Sequence, residues 1–121
     1  MKDTITFHQA AEGTLLDGAG NAAWHLDIDY SGWASRDSGG ITVQFLLRTP
    51  EGGYAYQGGA NLASASEQSN GTVVTFTGSY ERVGGPDGGE DMPKSGTLEA
   101  VLTWWLDGTT LYAVDIRLEE G

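Results

Sequence analysis

Apolar residues fall at nearly every second position in two runs near the end of the chain, Leu98 to Leu106 and Thr110 to Leu118, with Asp107-Gly108 between them. A period of two is that of a half-buried strand, and Asp-Gly between two such runs signals a hairpin. The same alternation sets Trp24, Leu26, Ile28 and Tyr30 against His25, Asp27 and Asp29, and sets Ile41, Val43, Phe45 and Leu47 against Thr42, Gln44, Leu46 and Arg48. A chain patterned this way folds around a sheet with one face of each strand turned inward.

The terminal hairpin carries a register problem. A two-residue turn at Asp107-Gly108 would place Tyr112, Val114, Ile116 and Leu118 on the opposite face from Leu98, Leu102 and Trp104. One extra residue, in a three-residue loop or a bulge beside Gly108, restores a single apolar face. Trp104 then opposes Tyr112, Leu102 opposes Val114 and Ala100 opposes Ile116.

Thr4 to His8 alternates as well, with Ile5 and Phe7 on one face, until the Gly-rich stretch from Gly13 to Asn21 interrupts it. Ser31 to Gly40 reads as a loop carrying Trp33. Pro50-Glu51-Gly52 suits a three-residue hairpin loop with a G1 bulge, opposing Leu47 with Ala55, Phe45 with Gln57 and Val43 with Gly59. Asn70-Gly71 suits a two-residue type I′ turn, opposing Ala65 with Phe76, Ala63 with Gly78 and Asn61 with Tyr80. Both turns assign the odd-numbered residues from Ala55 to Glu67 to the inner face, which implies one long strand from Gly53 to Gln68, bent at Gly58-Gly59.

Residues 1–121 are expected to form a single domain, an all-β antiparallel up-and-down barrel of seven or eight strands, with a β-sandwich as the alternative. Thr77-Gly78-Ser79-Tyr80-Glu81 resembles a short strand motif of the calycin and avidin-like barrels. The resemblance implies a calycin-like general shape; five residues of a common pattern assign no family.

Seventeen acidic against six basic residues give a net charge of −11, which argues against nucleic acid and anionic membranes as partners. There is no cysteine, no apolar run of membrane-spanning length, and no signal-peptide pattern after Met1-Lys2-Asp3, so the cytoplasm is the expected location. His25, Asp27 and Asp29 share a strand face, but a metal would need more ligands and His8 is the only other imidazole, so a solvated outer row is the reading and no metal is expected. Asp87 to Asp91 reads as a solvated loop, with a calcium site as the lesser alternative. Asn70-Gly71-Thr72 matches a glycosylation acceptor, although the turn already explains Asn-Gly.

On this register the inner row of the long strand is small or amide-bearing, facing Phe45, Phe76 and Tyr80. An ordinary interdigitated core accounts for that pattern, yet buried amides must be hydrogen-bonded or wet. The functional reading is therefore a small, partly apolar ligand held inside the barrel. Gln57 and Asn61 would supply hydrogen bonds, and Trp24, Tyr80, Trp104 and Tyr112 the wall. Trp33 would plug the open end or stack on the ligand, with Arg36 near enough to take a carboxylate. No cofactor is implied. No nucleophile motif is present, but a cofactor-independent cyclase or isomerase in the same cavity stays open, with catalytic residues unknown. A third reading is an acidic inhibitor or immunity-type protein for a basic partner. On the outer face Leu46, Tyr54 and Tyr56 would form an apolar patch suited to a homodimer, which Trp105, Val101 and Leu111 would extend.

Overall fold

The computed structural model describes residues 4–35, 37–50, 52–69, 71–86, 92–105 and 110–121. Every regular element among them is a strand: β1 (Ile5–Leu16), β2 (Ala22–Ala34), β3 (Gly39–Thr49), β4 (Gly52–Gln68), β5 (Gly71–Gly84), β6 (Ser95–Trp105) and β7 (Leu111–Glu120). They form a closed seven-stranded meander barrel in which each strand pairs antiparallel with the next and β7 returns to β1 in parallel.

Alternation places the faces as expected on β2 and β3, where Leu26, Ile28, Tyr30, Ile41, Val43, Phe45 and Leu47 are all buried. β1 runs further than its glycine suggests. Gly13 faces Ile28, whose Cδ1 occupies the space a side chain at residue 13 would need, so this glycine admits a bulky neighbour and the strand continues. The chain turns at Asp17, whose Oδ1 accepts hydrogen bonds from the backbone N–H of Ala19 and Asn21 at 2.9 and 3.0 Å, with Gly20 at φ 84°. β2 likewise runs through Trp33 to Ala34, which pairs with Ile5, so Trp33 is a strand residue.

The β3–β4 hairpin departs from the expected register by one residue. Thr49 pairs with Gly52, where Gly52 has φ 138° and the Thr49 hydroxyl donates to the Gly52 carbonyl at 2.9 Å, so the loop holds two residues. A one-residue slip exchanges the two faces of a strand. Tyr54, Tyr56, Gly58 and Ala60 therefore point inward, and Ala55, Gln57, Gly59 and Asn61 point outward. Burial of the tyrosines decides the matter: Tyr56 stacks on Phe45 with ring centroids 4.8 Å apart, and its hydroxyl donates to the Pro93 carbonyl at 2.7 Å.

Parity along β4 is broken. Leu62 pairs with Phe76 and Ser64 with Thr75, leaving Ala63 unopposed, so Ala65 returns to the inner side and pairs with Val74. At its far end Gln68 pairs with Gly71; Asn70 itself lies outside the described residues. The last hairpin does contain one extra residue, because Leu102 pairs with Val114, Ala100 with Ile116 and Leu98 with Leu118. It is Tyr112, unopposed between the Thr103–Ala113 and Trp104–Leu111 pairs, so Trp104 meets Leu111 and not Tyr112 as expected, because the bulge falls within β7 and not beside Gly108; residues 106–109 lie outside the described residues.

Two aromatic clusters fill the interior. Phe7 meets Tyr30, Phe76 and Trp104 at centroid distances of 6.0, 6.2 and 5.8 Å, and Phe45 meets Tyr56 and Tyr80 at 4.8 and 5.4 Å.

Candidate binding groove on the outer face

The corrected register separates the residues expected to meet around a ligand. Trp104 and Tyr80 are buried in the aromatic clusters, and Trp24 is half-buried against the core, paired with Leu15 of β1. Gln57 and Asn61 lie on the outer face, exposed, because the tyrosines of β4 take the inner row. Trp33 is also on the outer face, 43% exposed, with its indole nitrogen above Gly40, the residue that pairs with both Trp33 and Asn61. It neither plugs the barrel nor reaches its interior. The Tyr112 side chain and Arg36 lie outside the described residues, as do Asp87 to Asp91 and the Trp105 side chain. The outer patch expected of Leu46, Tyr54 and Tyr56 keeps only Leu46, since both tyrosines are buried.

Tyr80 is the inner residue with unusual chemistry. Its hydroxyl is buried without a hydrogen-bond partner among the described residues, and its pKa is pushed up to about 12 by burial first, then by Tyr56 and Glu120. The phenol is thus held neutral. Burial likewise raises Tyr56 and Tyr30, with the Arg82 guanidinium opposing the shift at Tyr56 and the Tyr30 hydroxyl donating to Gln9 Oε1 at 3.1 Å.

The concave surface lies outside the barrel wall. Two adjacent outer rows cross β1 to β4: Ala10, Asp29, Gln44 and Gln57 in one, Glu12, Asp27, Leu46 and Ala55 in the next. Val83, 56% exposed, joins them from β5, where it bulges between the Tyr56–Arg82 and Ala55–Gly84 pairs. Together these residues line a groove of about 930 Å³. Its two halves differ chemically: β1 and β2 supply carboxylates, while β3 to β5 supply Leu46, Ala55 and Val83 beside the paired amides of Gln44 and Gln57. The alanines leave room where larger side chains would fill the concavity.

Each carboxylate has a basic neighbour on the exposed surface. Asp29 lies 3.1 Å from His8 Nε2, Asp27 3.7 Å from Arg48 Nε, and Glu12 4.0 Å from His25 Nε2. Such exposed pairs hold weakly, each contributing at most about 1 kcal/mol, so a ligand cation can compete for the acids. His25 and Asp27 are thereby engaged with separate partners, and no group of three metal-ligating side chains occurs among the described residues.

Leu46 was legible as an apolar residue on an otherwise polar outer row, and Gln57 was singled out for the wrong face. Val83 carried no periodic signal, because a bulge sets its orientation. No family model, curated protein or solved structure matches this chain. The fold and the groove define a small acidic barrel with a two-sided recess in its outer wall.

Proposed function

We propose that the protein is a noncatalytic binding protein whose ligand is a small molecule with an apolar body and a cationic group, held in the outer groove. The single observation carrying this reading is the groove's division into an acidic half on β1–β2 and an apolar half on β3–β5. Its volume falls within the roughly 300–1,000 Å³ common for small-molecule sites. The apolar body would lie on Leu46, Ala55 and Val83, the cation against Asp27 and Asp29, and Gln44 and Gln57 would fix orientation. The ligand's place moves from the barrel interior to its surface because the aromatic clusters occupy the inner volume.

Calorimetric titration with a hexyltrimethylammonium salt, with hexanol and hexanoate as comparators, tests it. The cation is expected to bind at least about tenfold more tightly than either comparator, a difference of about 1.4 kcal/mol. Ala55→Trp, which fills the recess from an outward position, should abolish binding with the fold retained. Equal affinity for all three probes, or cation binding that survives Ala55→Trp, would overturn the assignment.

A further inference from the structure

An odd number of strands in a meander makes its first and last strands run the same way, so this barrel has to close in parallel. Among the described residues that closure consists of two pairs, Leu15 with Leu118 and Leu16 with Glu119. The remainder of β1, back to Ile5, is laddered only to β2, and the remainder of β7, back to Leu111, only to β6. Two strand edges therefore face one another across a seam with their outward backbone N–H and C=O groups outside any described ladder.

Burial marks the same place. Inward residues of β3 are buried, whereas Ile5 and Ala11 of β1 and Val114 and Ile116 of β7 are only partly so, Phe7 being the buried inward residue between the first two. Sheets ordinarily protect exposed edges with Lys or Pro. Neither residue occurs in Ile5–Leu16 or Leu111–Glu120.

We propose that this seam receives an extended segment of a basic partner protein, added as a strand antiparallel to both β1 and β7. Because the two edges are parallel to each other, a strand antiparallel to one is antiparallel to both. It would replace a short parallel contact with two antiparallel ladders and complete an eight-stranded, wholly antiparallel barrel. Its inward side chains are apolar, covering Ala11, Val114 and Ile116. Its outward side chains are basic, lying between Glu12 on β1 and Asp115 on β7. The net charge of −11 selects a basic strand and repels a second copy of this chain. The seam lies along the edge of β1 that faces β7 and shares Ala11 and Glu12 with the groove, whereas Asp115, Val114 and Ile116 belong to the seam alone.

Amide hydrogen exchange of the full chain, followed by NMR, tests it with two end-blocked peptides of identical composition. One alternates valine with lysine; the other has all its lysines before all its valines. The alternating peptide should slow exchange of backbone amides in residues 7–13 and 113–117, and the blocked-sequence peptide should not. Asp115→Lys, outside the groove, should weaken the alternating peptide several-fold and leave hexyltrimethylammonium binding unchanged. Equal binding of both peptides without protection would reduce the effect to net charge and overturn the proposal. So would the absence of binding, or a dimer whose seam amides are already protected without peptide.

Discussion

Tyr56 and Phe45 stack with ring centroids 4.8 Å apart and planes 4° from parallel, each supplied by one strand of a hairpin whose turn sets them opposite one another. That pair fixes the inward row of β4, and the Tyr56 hydroxyl ties it to the Pro93 carbonyl. Tyr56→Phe keeps the stack and removes the hydrogen bond, so a loss of about 1 kcal/mol is expected. Tyr56→Ala removes both and should cost about 3–5 kcal/mol. Urea denaturation of the two variants separates the contributions.

Side chains on the outer row behave oppositely. Gln57→Ala and Asn61→Ala should each shift stability by no more than about 0.5 kcal/mol, the ordinary effect of an exposed substitution. If either costs as much as Phe45→Ala in the same denaturation series, the register of β4 described above is wrong.

Gly78 pairs with Ala60 across the β4–β5 ladder with no room for a side chain. A methyl group there would run into the Gly59 carbonyl and the Ala60 Cα, both backbone atoms that cannot swing aside. Gly78→Ala should therefore destabilise by about 1–3 kcal/mol despite the better intrinsic strand preference of alanine. Thermal unfolding reads the effect directly.

Alkaline pH should unfold the barrel through its buried phenols. Tyr80 is raised to about 12 in the folded chain from an ordinary value of 10.0. Below about pH 10 neither state ionises and stability is unaffected; above it the unfolded chain releases protons that the folded chain retains, so stability falls between about 10 and 12. The later phase of the rise in tyrosinate absorbance should coincide with loss of strand circular dichroism. Tyr80→Phe should move that later phase to higher pH.

The all-strand architecture, the inward faces of β2 and β3, and the need for one extra residue in the last hairpin were legible because long, strongly apolar rows admit one consistent face; the place of that residue was not, since a bulge at Tyr112 serves the pattern as well as one beside Gly108. β4 was not. Its two rows read Tyr54, Tyr56, Gly58, Ala60 and Ala55, Gln57, Gly59, Asn61, each mixing small residues with larger ones, so the turn at residues 50–51 decided everything and one residue reversed it. The bulge at Ala63 has no marker at all, since alanine suits both strand faces and irregular positions. The groove stayed hidden for the same reason: it is assembled from neighbouring strands by register, and its Val83 depends on a second bulge.

The pairs Leu15–Leu118 and Leu16–Glu119 join the most distant parts of the chain, whereas every other ladder joins consecutive strands. Contacts between neighbours can form hairpin by hairpin, and a contact that must wait for all of them forms last on the way to the native state. Interactions made after the rate-limiting barrier act on the unfolding rate and leave the folding rate almost untouched. Weakening the closing pairs is therefore expected to raise the unfolding rate and leave the folding rate almost unchanged, which stopped-flow unfolding and refolding would read.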